Sequence, residues 1–194
     1  MKKILLLAAV VLSSLTASAQ QSPGGLEIIP KVGFNLANIV GDHTDGYSMK
    51  FAMFGGAEAL YQVNPMIGLS GGLLISLQGC EMESNSYVKD PSVSTTYLNI
   101  PLLANFYVAP NLALKVGLQP AFYLSGKLKY DGGSSDLDNA QTVSLDIPFG
   151  ISYEISDFII DARYNLGLTK INKGDGSQRN SVFQISVGYK IPIM

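Results

Sequence analysis

Hydrophobic and polar residues alternate along most of this chain with a period of two, the spacing at which successive side chains of an extended strand point to opposite faces. Residues 66–80 show it best. Ile67, Leu69, Leu73, Ile75 and Leu77 share one face, and Gly68, Ser70, Gly72, Ser76, Gln78 and Cys80 share the other. Residues 112–130 repeat the pattern, with Leu112, Leu114, Val116, Leu118, Phe122, Leu124 and Leu128 set against Lys115, Gln119, Ser125, Lys127 and Lys129. Residues 143–155 set Val143, Leu145, Ile147, Phe149 and Ile151 against Ser144, Asp146, Ser152 and Glu154. Residues 158–169 and 182–191 follow the same rule, and weaker versions cover 28–39, 50–61 and 95–108.

The sum is eight strands, most of them longer than the roughly 5–6 residues usual in globular proteins and close to the 9–11 or so that a tilted strand needs to cross a bilayer. Connections alternate in length. Short turns are expected near Asn64-Pro65, Pro110-Asn111 and Ser156-Asp157, and longer polar links at 41–49, 81–94, 131–141 and 171–180. Short turns at one end and long loops at the other is the outer-membrane pattern, the long loops lying outside the cell. The expected fold is therefore all-β: an eight-stranded antiparallel up-and-down transmembrane β-barrel with a polar, filled lumen. Aromatics agree with it. Tyr61, Phe106, Tyr153, Phe158 and Tyr189 fall at the short-turn ends, and Phe51, Tyr130 and Phe183 toward the other, as interfacial girdles would.

Alternation does not say which face points inward. A soluble lipocalin-like barrel carries its apolar face inside, around a ligand, whereas a membrane barrel carries it outside. The polar face holds charges of both signs in mid-strand, Glu58, Lys115, Asp146, Asp161 and Arg163, with small residues between them. An eight-stranded lumen is just wide enough to be filled by side chains, so these charges are expected to pair and block it. Pro101, Pro120 and Pro148 interrupt predicted strands. A closed ring has no free edge to hide a missing N–H, so bulges or bends are expected at all three.

The first residues read as a leader. Lys2 and Lys3 precede the apolar run Ile4–Leu12, and Ala17-Ser18-Ala19 supplies the small-x-small cleavage pattern, giving a signal peptide over 1–19 and a barrel domain over 20–194. Composition fits: 47% hydrophobic but only 14% charged, against a usual charged share of about 25%. A formal charge of −2 offers no basic patch for nucleic acid, and the single Cys80 excludes an internal disulfide framework or a Cys-cluster metal site.

Candidate chemistry is sparse. His43, the one histidine, sits in Gly41-Asp42-His43-Thr44-Asp45-Gly46, with Ser48 nearby. A lipid-modifying barrel enzyme would need His, Ser and an acid within hydrogen-bond reach, but no nucleophile motif is present and Asp, Gly and Thr are ordinary turn residues. Asp42 with Asp45, or Asn172, Asp175 and Ser177, could offer oxygens to Ca²⁺, but neither set matches an EF-hand loop. Asp161 and Arg163 read as a structural lumen ion pair, and Cys80 as a small semi-buried side chain. No catalytic, cofactor or metal site is assigned.

Four segments carry a family likeness: Lys31–Asn38 (KVGFNLAN), Tyr97–Leu103 (YLNIPLL), Asp161–Leu168 (DARYNLGL) and Val182–Lys190 (VFQISVGYK). In this set and order the chain resembles the PorT-like outer-membrane β-barrels common in the Bacteroidetes. It departs from that pattern in ending Ile191-Pro192-Ile193-Met194 rather than on an aromatic residue. The resemblance implies an eight-stranded barrel in the outer membrane and assigns it no particular activity. The expectation is a non-enzymatic integral barrel, in contact with outer-membrane lipid and with a protein partner at its outer loops, or an envelope-structural element. A lipid-modifying enzyme, a soluble lipocalin-like carrier and an accessory component of a protein secretion system are the alternatives.

Overall fold

The computed structural model describes residues 23–41, 47–82, 92–130, 133–136, 141–170 and 177–193, so the expected leader lies outside the described residues. Every regular element among them is a strand: β1 (Leu26–Gly41), β2 (Tyr47–Asn64), β3 (Ile67–Met82), β4 (Ser92–Asn99), β5 (Leu102–Ala109), β6 (Leu112–Tyr130), β7 (Gly133–Asp136), β8 (Val143–Ile155), β9 (Phe158–Gly167), β10 (Gln178–Tyr189) and β11 (Ile191–Pro192). Neighbours pair antiparallel, and β1 closes the ring on β10, with Lys31 to Gly41 opposite Gly188 to Gln178. β4 and β5 together make one wall strand between β3 and β6, β7 is a short return on the outer end of β6, and β11 extends β10 along β1. The result is a ring of eight strands.

The short turns owe their tightness to specific residues. Asn64 Oδ1 accepts hydrogen bonds from the N–H groups of Met66 (2.8 Å) and Ile67 (2.9 Å), an Asx turn between β2 and β3. Asn111 (φ 65°) and Ser156 (φ 54°) adopt the left-handed conformation that tight hairpin turns require.

The wall settles the inside–outside question. Val32, Phe34, Leu69, Leu73, Ile75, Leu114, Val116, Ile151 and Ile185 face out and are exposed, while Lys31, Asn35, Glu58, Ser76, Asn105, Lys115, Asp161, Arg163 and Gln184 face in and are buried. Apolar outside and polar inside is a membrane barrel, so the lipocalin-like arrangement is excluded. Tyr61, Phe106, Tyr153, Phe158 and Tyr189 are all exposed around the short-turn end, Phe158 meeting Tyr189 edge-on at 5.2 Å. Farther along the wall Phe34 stacks on Phe51 at 4.9 Å.

Three expectations change in detail. Of the prolines, only Pro101 interrupts its strand, with Ile100, between β4 and β5. The flanking backbone still bonds, Gly72 N–H to the Pro101 carbonyl (3.1 Å) and Ile100 N–H to the Pro120 carbonyl (2.9 Å). Strands β6 and β8 run unbroken through Pro120 and Pro148, because each proline keeps a partner on one side, Leu145 and Asn165 respectively; without a Pro148 N–H, the β6–β8 pairing lapses between Val116/Phe149 and Gln119/Asp146. Secondly, a bulge near Tyr123–Ser125, opposite Thr96/Tyr97, inverts the facing of β6 beyond it, so Ser125 and Lys127 are exposed rather than grouped with Lys115 and Gln119. Thirdly, the expected link 131–141 folds back in part as β7.

Candidate functional site

Because the apolar face meets lipid, any chemistry built into the wall lies in the lumen. Its centre is a ring of five charges from four strands: Lys31 (β1), Glu58 (β2), Lys115 (β6), and Asp161 and Arg163 (β9). Arg163 reaches Glu58 with two parallel N–H donations, Nη1 to Oε1 at 2.7 Å and Nη2 to Oε2 at 2.9 Å. Nη2 also donates to Asp161 Oδ2 (2.9 Å), and Nε stands 2.7 Å from Asp161 Oδ1 as an ion contact without hydrogen-bond alignment. Lys31 Nζ donates to Glu58 Oε2 at 2.8 Å and lies 3.7 Å from Asp161. Lys115 donates to Asp161 Oδ2 at 2.6 Å. Since β10 and β1 lie between β9 and β2 in the ring, the Arg163–Glu58 pair spans the lumen.

Two glycines make room for this ring. Gly72 lies opposite Glu58 and Gly150 opposite Arg163 in the ladders. A Cβ on Gly72 would stand 2.6 Å from Glu58 Cγ, and one on Gly150 2.9 Å from Arg163 Cγ, so each long side chain lies over a bare backbone. Removing either partner of such a desolvated pair leaves an uncompensated charge, costing about 3–5 kcal/mol.

Polar and apolar groups fill the space on either side. Toward the short turns, Ile29, Leu60 and Ile159 form a small apolar cluster. Near it Glu154 accepts from Tyr107 Oη (2.9 Å) and Lys190 Nζ (2.6 Å), with Glu27 3.4 Å from the same ammonium. Toward the long links, Asn35 donates to Ser76 Oγ (2.9 Å) and to the Leu77 carbonyl (2.6 Å), and accepts from Gln184 (2.8 Å). Lumen side chains thus tie strands together in successive layers, as expected for a ring of this size.

Of the residues singled out in the sequence, Glu58, Lys115, Asp161 and Arg163 converge on one cluster, and Asp146 stands apart from it. Lys31 escaped notice. It follows Ile28-Ile29-Pro30, which masks the alternation, yet it shares the parity of Gly33 and Asn35 opposite Val32 and Phe34. Asp42, His43, Asp45, Asn172 and Asp175 lie outside the described residues. Ser48 is exposed on β2, and Cys80 is fully buried. Among the described residues no group of three or more His, Cys, Asp or Glu could hold a metal ion. On the lipid-facing wall Phe106, Val116, Phe149, Ile151, Tyr164 and Phe183 line an open apolar groove of about 550 Å³.

A polar, ion-paired interior inside an apolar closed ring agrees with the sequence-family comparison, in which residues 18–173 match the model described as outer membrane protein beta-barrel domain. The chain belongs to that family. This places the barrel in the outer membrane. Solved structures share its architecture. Ail, the attachment invasion locus protein of Yersinia pestis, superposes with a TM-score of 0.54 at 18% identity, over 88% of this chain and 100% of Ail. Neisserial surface protein A superposes with a TM-score of 0.55 at 14% identity, over 86% of this chain and 97% of that protein. At such identities the likeness is one of fold. No curated protein matches the chain in sequence.

Proposed function

We propose that this outer-membrane barrel is a non-enzymatic anchor that works at its long-loop end, bracing the envelope or binding a protein partner there, while its lumen carries no solute. The observation behind the reading is the charge ring at mid-lumen: the paired side chains of Lys31, Glu58, Lys115, Asp161 and Arg163, each nine-tenths or more buried, occupy the cross-section where a conducting path would run. With the wall facing lipid and the interior packed, the ends of the barrel are what remain for recognition, and the long links gather at one of them. Within the family, the four segments quoted above favour the PorT-like group.

The experiment is reconstitution of the refolded chain in planar bilayers, together with replacement of residues 83–91 by a Gly-Ser segment of equal length in the native host. The reading expects no stable ohmic conductance, and an envelope defect on loop replacement matching that of deleting the whole chain while the barrel still inserts. A steady conductance, or full function with the loop replaced, would overturn it. His43→Ala with altered lipid A or phospholipid profiles would point instead to a lipid-modifying enzyme.

A further inference from the structure

The half of the lumen toward the long links is built differently from the charge ring. Asp146 on β8 faces in and is 2% exposed, and its one hydrogen-bond partner among the described residues is Gln119, whose Nε2 lies 3.3 Å from Oδ2. Its other oxygen, Oδ1, has no partner, and no Lys or Arg pairs with it among the described residues. Around it are more orphans. Gln119 Oε1, Ser144 Oγ, and both amide atoms of Asn99 and of Asn165 are buried without a hydrogen bond. The ladders bring these residues together. Gln119 is opposite Asp146, Ala121 is opposite both Ser144 and Asn99, and Gly167, two residues from Asn165, is opposite Asp146. Ala121, also inward, adds little bulk to the space between them.

Such a set is at odds with the rule that buried polar groups are satisfied, and a lone desolvated carboxylate with no counter-charge is costlier still. Water could serve the amide N–H groups but would leave the charge unbalanced. We propose that Asp146 is the anchor of a cation site in the long-loop half of the lumen, completed by the oxygens of Asn99, Gln119, Ser144 and Asn165 and by water. The donors are all oxygen, which selects a hard cation such as Ca²⁺ over a soft transition metal. One carboxylate among neutral oxygens makes a weak site, in the range of about 10⁻⁴–10⁻³ M that suits proteins facing the external medium. The charge ring below leaves the long-loop end as the route of entry.

The test uses the full chain refolded in detergent, with Ca²⁺ as the ligand and Tb³⁺ as a luminescent probe. Tyr97 lies close enough to Asp146 to interact with it electrostatically and serves as the sensitiser. Millimolar Ca²⁺ is expected to raise the unfolding temperature of the wild type by a few degrees and to quench tyrosine-sensitised Tb³⁺ emission by competition. Asp146→Asn, which preserves shape, is expected to abolish both responses. Asn99→Leu, which keeps the carboxylate, is expected to weaken Ca²⁺ at least several-fold and guards against a folding failure of the first variant. A wild type indifferent to Ca²⁺ would sink the proposal and leave a chamber of water alone. Undiminished responses in both variants would assign the cation to another part of the protein.

Discussion

Arg163 and Glu58, 105 residues apart in the chain, face each other across the lumen through a two-pronged guanidinium–carboxylate contact of 2.7 and 2.9 Å. Bidentate pairs of this kind combine charge with fixed geometry, and burial makes them intolerant of losing one member. Glu58→Gln is therefore expected to destabilise the folded barrel by about 3–5 kcal/mol, because Arg163 and Lys31 lose their shared counter-charge. Urea titration followed by the gel-mobility difference between folded and unfolded barrel reads this directly. Adding Lys31→Met to Glu58→Gln should recover part of the loss. A double variant no better than the sum of its singles would show that the pair acts independently of the ring.

The glycine beneath that carboxylate gives a second prediction. Gly72→Ala would put a Cβ 2.5 Å from the Ala57 carbonyl oxygen and 2.6 Å from Glu58 Cγ, so the ladder or the ion pair must shift. A cost of about 1–3 kcal/mol is expected, in the manner of an overpacked core. Gly71→Ala, one residue away on the other face, meets nothing closer than 3.3 Å and should be nearly neutral. Equal effects at the two positions would contradict the packing described.

Leu73 tests the wall. It is 58% exposed at mid-strand, opposite Ala57. On a water-soluble protein Leu73→Arg would be nearly silent, but at the middle of a bilayer an outward arginine costs about 2–4 kcal/mol. Comparison of refolding yields and urea midpoints in phospholipid vesicles separates the two cases.

Cys80 supplies a probe that needs no mutation. It is fully buried on the inner face of β3. A maleimide reagent should leave the folded barrel unmodified and label it stoichiometrically once unfolded. Rapid labelling of the folded form would place β3 in a different register.

Much of this was legible in the chain because a strand repeats every two residues and a turn needs particular residue types. The period marked all eight wall strands, and Asn64, Asn111 and Ser156 stand where the short turns were expected. What stayed hidden depends on partners distant in sequence. Nothing local to Tyr123–Ser125 announces a bulge, since it arises in pairing with Thr96 and Tyr97, and for that reason the period of two places Lys127 on the wrong face. Pro101, Pro120 and Pro148 look alike in sequence yet behave differently, because the effect of a missing donor depends on which neighbour was to accept. Four of the five mid-strand charges visible as outliers in an apolar chain belong to the ring, but the contacts among them, and the ring's fifth member Lys31, required the barrel to be closed.

That last dependence bears on how the protein reaches the membrane. The five charges come from the first strand pair of the chain, β1 and β2, and from β6 and β9 in its far half, and Lys31 sits beside the β1–β10 seam. While that seam is open, Glu58 on one margin of the sheet has no guanidinium and Arg163 near the other margin has only Asp161. An open sheet entering hydrocarbon would leave Arg163 and Lys115 sharing the single carboxylate of Asp161, whereas the closed ring gives Arg163 the second carboxylate, Glu58. Insertion and closure are thereby expected to be interdependent, since the Arg163–Glu58 contact forms only when the two margins of the sheet meet.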